Sequence, residues 1–517
     1  MYNMHFFKST LLISSIGILT ACGSGGAETD TSASAIHGST NTANTTESAT
    51  GSNSTTHSPV SGNEDIAVNP TSISGDTKFT SPTEYKTGTD TSSTVTSTST
   101  SETDTSSTSN HQSTDTTTSS GNNSTTPSST NNEDQTAQTT HISEGIIYAS
   151  STGTGTGVSA DDPSSLQEAL NALQGGDVLF LRGGVYTLSM SDLKKVLIPS
   201  SASGSSSKPT IIESYPGEKA VIDGSALSKA VNAEREQGSI RVEADYVKVR
   251  KIEVRNMPEF GILVTGNNVV VEECESHHNG LTGIFAHHVS NILVQNNITH
   301  HNSDVGLGVN KWNYDNGDNA DGIAVAYSNN STIRHNIAYL NSDDGIDVWG
   351  SNNMLVTANK VYKNGYLDNG SHAGKGNGNG IKAGGENTHD NVISYNLIWQ
   401  NYANGIDISE KSNLRAKYIH NTTWHNGYNG SSNIYQLGRG YTFNPDTELQ
   451  NNISSDDAMH FWNDNGIFID NSWDRGNHSW EDIGTVPFIN TTNPSSPDFL
   501  RPAPGSGYED LGAYAGN

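Results

Sequence analysis

Asparagine returns at a fixed interval through the second half of this chain. Asn256, Asn279 and Asn302 are each 23 residues apart, and the series resumes as Asn341, Asn364, Asn401 and Asn426. A second series, five residues earlier, contains Asn297, Asn336, Asn359, Asn396 and Asn421. Around these columns lie short runs such as VVVEE, NILVQ, STIRH, MLVTA and NVISY. Each run is too short to cover its own apolar face, so neighbouring repeats must cover it. A 23-residue period with β-rich runs and asparagine at the bends predicts an all-β chain, a right-handed parallel β-helix of about ten coils whose bend asparagines form side-chain ladders. A leucine-rich repeat of similar period requires leucine columns, and these are absent.

Two steps break the period: Asn302 to Asn341 is 39 residues and Asn364 to Asn401 is 37. The extra residues must loop out of the stack, roughly at GVNKWNYDNGDNA and YLDNGSHAGKGN. Long loops on one side of a solenoid commonly build its binding face. Between and beside them a glycine–isoleucine pair sets a register: Gly322-Ile323, Gly345-Ile346, Gly380-Ile381 and Gly405-Ile406. One residue before each glycine stand Asp321, Asp344, Asn379 and Asn404; two residues after stand Ala324, Asp347, Lys382 and Asp407. Residues in one column of a parallel stack lie roughly 4.8 Å apart. Asp321, Asp343, Asp344 and Asp347 therefore crowd together beside Lys382. Such a cluster does not stay ionised without a cation, and an all-oxygen donor set suits a hard ion such as Ca²⁺ better than zinc.

The chain divides into three parts. Residues 1–22 carry Lys8, the apolar run Leu11 to Leu19, and then LTAC ending at Cys22. The run is too short to span a membrane and reads as an export signal. LTAC resembles a bacterial lipobox, which implies cleavage before Cys22 and lipidation of its sulfur. Gly23 in the next position favours the outer membrane, so the expected location is the cell surface or outer membrane, with secretion as the alternative. Residues 23–143 are mostly Ser, Thr, Asn and Gly, and read as a disordered tether. Residues 144–517 form the folded domain.

Of 27 basic and 55 acidic residues, 3 and 13 fall in residues 1–143, leaving 24 and 42 and a net charge of −18 beyond. No nucleic-acid partner is expected, and a polyanionic ligand needs local cations or a bridging metal. The domain is expected to be a monomer. Cys22 and Cys274 are the only cysteines. With the first lipidated, no disulfide is expected, and Cys274 in VVVEEC reads as a small core residue. Leu166, Ala169, Leu170 and Leu173 fall at helical spacing after Ser164 and Ser165, predicting an N-terminal helix that caps the stack. DVLFLRGGVY and PTIIESY read as strands, the repeats are expected to begin near Tyr246 and fade beyond Gly430, and the tail from Phe499 to Tyr514 is expected to cap the last coil.

NADG, NSDDGID and GNGIK, in that order and followed by a PGS…LGAY tail, resemble polysaccharide lyase family 9, the pectate lyases and exopolygalacturonate lyases. The resemblance covers about residues 144–517. It implies calcium ligation by Asp321, Asp343, Asp344 and Asp347, catalysis by Lys382, and polygalacturonate or pectin as substrate. The chemistry is consistent with these side chains. β-Elimination in a 4-linked uronan removes the C5 proton, and the adjacent carboxylate opposes the developing charge. A bridging cation offsets it, and a neutral lysine can take the proton. Asp407, in the lysine's column, is a supporting residue for the base or the metal. Lys311 and Arg439 are the candidate cations for substrate carboxylates.

Two rivals remain. Polygalacturonase-type hydrolases also use aspartates on a β-helix, but their GHG and RIK strings do not occur here. A β-helical adhesin or carbohydrate-binding surface protein would use calcium for stability only. The pairs His277-His278, His287-His288 and His300-His301 are expected to serve at turns or in solvent. Trp312 and Trp424 are expected to pack.

Overall fold

The structure, a computed structural model, describes residues 145–516 except 229–237, 307–316, 386, 408–412, 428–438, 444–446, 462–465 and 477–483. The expected signal segment with Cys22, and the tether, lie outside the described residues. What is described is a parallel β-helix. A first sheet of 12 strands runs from Ile146–Ala149 to Ile467–Ile469, and two further sheets hold ten strands each, all pairing in parallel along each stack. This agrees with the expected number of coils.

Alternation within each short strand sends one column inward. In the first sheet Val249, Val271, Val294, Ile333, Val356, Ile393, Tyr418 and Leu449 are consecutive partners and fully buried. In the second sheet the inward column is Ile240, Ile262, Ile284, Ile323, Ile346, Ile381 and Ile406. No such strand is stable alone, but each added coil buries the apolar face of the one before.

The bends have a two-residue rule. A residue in the left-handed region, such as His335 (φ 56°) or Lys363 (φ 53°), precedes a buried asparagine. That asparagine then joins a ladder. Asn336 Nδ2 donates to Asn359 Oδ1 at 3.0 Å, and Asn359 Nδ2 to Asn396 Oδ1 at 3.0 Å, continuing to Asn421, Asn452 and Asn471. The second ladder runs from Asn279 through Asn302, Asn341, Asn364, Asn401 and Asn426 to Asp457. Asn256 is not in it. The equivalent position one coil earlier is Met257, whose N–H donates to Asn279 Oδ1, while Asn256 takes the left-handed bend position (φ 56°). Cys274 fills the corresponding place in the other ladder, donating its N–H to Asn297 Oδ1, and burial pushes its thiol up to about 12. It is the inert core residue expected.

Asn359→Ala would strand the Asn336 main-chain N–H, which donates to Asn359 Oδ1, and remove one partner of the Asn336 amide. At about 1–3 kcal/mol per buried unsatisfied group, a denaturant melt should show a loss of roughly 2–5 kcal/mol. A loss below about 0.5 kcal/mol, the scale of an ordinary surface substitution, would refute a stabilising ladder.

Several boundaries differ from those read in the sequence. The stack begins at Ile146 rather than Tyr246, because the strands Val178–Leu181 and Thr210–Ser214 already pair in register with the later coils. Their periodicity is hidden by unequal connections. DVLFLRGGVY is two strands, Val178–Leu181 and Gly184–Ser189, divided at Gly184 with φ 136°. The helix, Leu166–Ala172, has Ser165 as N-cap in a reciprocal capping box with Glu168. Leu166, Ala169 and Leu170 close the start of the core. Nor do the coils fade after Gly430, since Glu448–Gln450, Ile453–Ser455 and Ile467–Ile469 extend the first and third sheets. The tail was expected to cap the last coil; instead it lies along the third sheet. Ala513 N–H donates to Thr422 Oγ1, and Tyr514 and Phe499 cover Leu397 and Trp399.

Candidate active site

The second sheet carries the site because its glycines let two coils approach. A Cβ on Gly322 would lie 2.7 Å from the Gly345 carbonyl oxygen and 2.8 Å from the Asn341 ladder amide. Gly345 and Gly380 are crowded in the same way. Gly261 and Gly283 occupy the same column in the two preceding coils.

The expected columns are present. One residue before each glycine, main-chain N–H groups donate to side chains of the coil before or after: Asp321 to Thr282 Oγ1, Asp344 to Asp321 Oδ1 (3.2 Å), Asn379 to Asp344 Oδ1 (2.7 Å) and Asn404 to Asn379 Oδ1 (3.1 Å). Two residues after, Ala324, Asp347, Lys382 and Asp407 are consecutive Cα partners. The first two aspartates are thus a continuation of an amide ladder in which carboxylates have replaced neutral groups.

Carboxylate oxygens of Asp321, Asp343 and Asp344 lie within 4.8 Å of one another, and all three side chains are buried. Lys382 Nζ is 3.4 Å from Asp344 Oδ2 and 3.3 Å from Asp347 Oδ2. Its ammonium also stands 5.1 Å from the centre of the Trp349 ring. Burial, then the neighbouring carboxylates, push Asp321 and Asp343 well above the usual carboxylate range. Asp344 is pushed up to about 6 by burial, with Lys382 opposing. For Lys382 itself burial favours the neutral amine, but Asp347, Asp344, Asp343 and Asp321 together outweigh it and raise the group well above an ordinary lysine. One ammonium does not balance four carboxylates.

The donor set fits a hard divalent cation. Among the described residues buried Asp344 Oδ2 accepts no hydrogen bond, its contact being the Lys382 ammonium at 3.4 Å, and the carboxylates are oriented by backbone N–H groups, Asn377 to Asp343 Oδ1 (2.6 Å) and Trp349 to Asp347 Oδ1 (2.7 Å). Oxygen ligands held in place with a free lone pair turned inward are what Ca²⁺ requires.

Of the remaining expected residues, Asp407 is in the lysine's column and its charge raises Asp344. Arg439 starts the strand Arg439–Phe443, two coils beyond Lys382 in the second sheet. Lys311 and Trp312 lie outside the described residues. Trp424 packs beside Phe499 and donates to Asp456, as expected of a packing residue. The second insertion does border the site, through Asn377 and through Gly376, where any Cβ would strike the Ser342 and Gly317 carbonyl oxygens.

Sequence reasoning missed Asp304. It is fully buried, accepts from Ser342 Oγ at 3.2 Å, and is raised by burial and by Asp318. The signal was the string NSD, which occurs at Asn302–Asp304 and again at Asn341–Asp343, one long coil apart. Tyr327 and Trp349 were also missed; Trp349 Nε1 donates to Tyr327 Oη at 3.1 Å beside the lysine.

Residues 147–474 match the family model described as Pel9A-like, right-handed beta helix region. The chain belongs to this Pel9A-like family, and the expected membership of polysaccharide lyase family 9 holds. The handedness of the helix is the family's. Pectate lyase L of Paenibacillus polymyxa is 26% identical over 319 residues, 57% of this chain and 66% of the relative. Pectate lyase L of Dickeya chrysanthemi is 29% identical over 330 residues, 62% of this chain and 72% of the relative. The match thus spans about two thirds of these relatives' length. The crystal structure of pectate lyase Pel9A superposes with a TM-score of 0.57 at 23% identity, covering 70% of this chain and 89% of that one, and so supports the fold.

Proposed function

We propose that this family 9 chain is a calcium-dependent pectate lyase that cleaves polygalacturonate by β-elimination, with Lys382 as the base. The observation that carries the reading is the buried lysine Lys382, 3.3–3.4 Å from two carboxylates of a four-aspartate cluster on one sheet of the β-helix. The naming of its relatives as pectate lyases supports the substrate class.

The residues divide the work. Asp321, Asp343, Asp344 and Asp347 would hold the ion, each kept in place by backbone or hydroxyl donors. Bound there, Ca²⁺ supplies positive charge against the uronate carboxylate and against the carboxylates' hold on the Lys382 proton. Lys382 takes the C5 proton at Nζ as the C5–H pair becomes the C4–C5 double bond and the C4–O bond breaks. The departing oxygen takes a proton from water. Trp349, against the ammonium, shields Lys382 from solvent on that side.

The test is incubation of the purified protein with polygalacturonate, with and without calcium. The expected result is the ultraviolet absorbance of an unsaturated uronide, dependent on calcium. New reducing ends without that absorbance would identify a hydrolase, and no cleavage of any polyuronate in a screen would leave a binding protein; either sinks the proposal.

The same reading puts the enzyme on the outer membrane through lipid on Cys22, on the strength of LTAC. Cys22→Ala should abolish lipid labelling and move the protein from the membrane fraction to the soluble one. Unchanged fractionation would defeat the anchor.

A further inference from the structure

The histidine pairs were expected to serve at turns or in solvent, and the structure brings two of them together in register. His277 and His300 are Cα partners in adjacent coils of the third sheet, 23 residues apart. Each ends a strand, and each is followed by a left-handed bend histidine, His278 (φ 54°) and His301 (φ 53°). Strand end and bend both face outward, so four imidazoles gather on one patch. The His277 and His300 rings stack in parallel at 4.7 Å and 6°, and those of His278 and His301 at 5.0 Å and 3°. Within each pair the Nδ1 atoms are 2.7 Å apart.

We propose that this patch is a second metal site, of a different class from the aspartate cluster, that binds a borderline-soft divalent ion such as Zn²⁺ through His277, His278 and His300. Their ligating nitrogens lie within 4.8 Å of one another. An independent observation sets their tautomers. His277 Nε2 is 3.4 Å from Glu253 Oε1 and His300 Nε2 is 3.3 Å from Glu275 Oε1. Lys219 Nζ bridges the two carboxylates and holds both as anions facing the imidazoles. Each Nε2 therefore carries the proton and donates it to the carboxylate, and each Nδ1 lone pair turns toward its histidine neighbour. A carboxylate behind the distal nitrogen of a ligating histidine is the arrangement that orients and strengthens imidazole ligands in metal sites.

The present Nδ1 contact is a hydrogen bond whose proton comes from His278. For Nδ1 of His278 to bind, that proton passes through solvent to Nε2 of the same exposed ring, and the pair opens. With Zn–N bonds of about 2.0–2.1 Å, tetrahedral ligands sit about 3.3 Å apart, so the 2.7 Å pair widens by about 0.6 Å and the longest separation closes by at most about 1.5 Å. His278 is exposed, which allows its ring to turn and leaves the fourth position to water. Imidazole nitrogen suits zinc, cobalt, nickel or copper and not calcium, so the two sites select different ions. A metal here would tie two consecutive coils together.

The test uses the full chain, stripped by chelator and returned to calcium-saturated buffer. Titration with Zn²⁺ in a calorimeter, and with Co²⁺ by visible absorption, is expected to give one saturable site and a higher melting temperature with Zn²⁺. His278→Ala, an exposed position whose change leaves folding intact, should weaken Zn²⁺ binding at least roughly tenfold and remove the thermal shift. Glu253→Gln should weaken it about 10- to 100-fold by loss of the supporting carboxylate. Asp344→Asn should leave Zn²⁺ affinity unchanged. Failure to bind Zn²⁺ saturably, or binding that survives His278→Ala undiminished, would overturn the site.

Discussion

Lys382→Ala is expected to lower kcat about 10²- to 10⁴-fold, the usual contribution of a positioned general base, while calcium binding is retained. The reason lies in the charge balance. Lys382 is the cation that stands 3.3–3.4 Å from Asp344 and Asp347, so deleting it leaves the carboxylates more, not less, attractive to a divalent ion. Lys382→Arg separates the two roles of the side chain. Arginine keeps the positive charge but does not give up its proton, so the variant should be as inactive as the alanine one. In the wild-type enzyme the surrounding carboxylates raise the lysine, which keeps the amine protonated at neutral pH. The rate should therefore climb with pH toward an alkaline optimum. Measured at saturating calcium and substrate, wild-type turnover in Lys382→Ala, or turnover in Lys382→Arg above about a tenth of wild type, would remove Lys382 from the role of base.

Asp344→Asn is expected to weaken calcium binding on the order of 100-fold, about 3 kcal/mol, with activity partly recovered at high calcium. Asparagine preserves the acceptor for the Asn379 N–H and changes little but charge. Two unit charges 4 Å apart interact by about 4 kcal/mol at the effective dielectric near a protein surface, and desolvation of the ion reduces the net effect. The contrast with Lys382→Ala is the informative part. One variant should lose turnover at full calcium occupancy; the other should lose occupancy first and regain turnover as calcium is added. Unchanged calcium affinity in Asp344→Asn, measured by titration of the chelator-treated protein, would show that Asp344 is not a ligand.

The sequence by itself determined the repeat, the bend chemistry and the reactive column. These were legible because a parallel stack repeats one environment at one spacing: every inward position wants an aliphatic residue, every ladder position an asparagine, and every close approach a glycine. Departures from those demands, such as aspartates at Asp321 and Asp344 where the column otherwise holds Asn379 and Asn404, stand out against a regular background. Where the period was irregular, legibility ended. The first coils were hidden by unequal connections, and the last by the same cause, although both pair in register with the rest. Asn256 matched the spacing yet occupies the bend, one residue before the ladder position held by Met257, because spacing alone does not distinguish adjacent residues of a two-residue corner.

Only the tertiary structure decided which outward side chains meet. It placed Lys382 Nζ between Asp344 and Asp347, brought Asp304 beside Ser342, and laid the tail over Leu397 and Trp399 instead of over the end of the stack. It also brought the histidine pairs into one patch with Glu253 and Glu275 behind them. Register fixes which Cα atoms are neighbours, but side-chain direction and hydrogen-bond partners depend on the bend geometry and on what fills the adjoining coil. A left-handed residue at the corner turned the second imidazole of each pair outward beside the first, and that turn is a property of the folded backbone, not of the spacing.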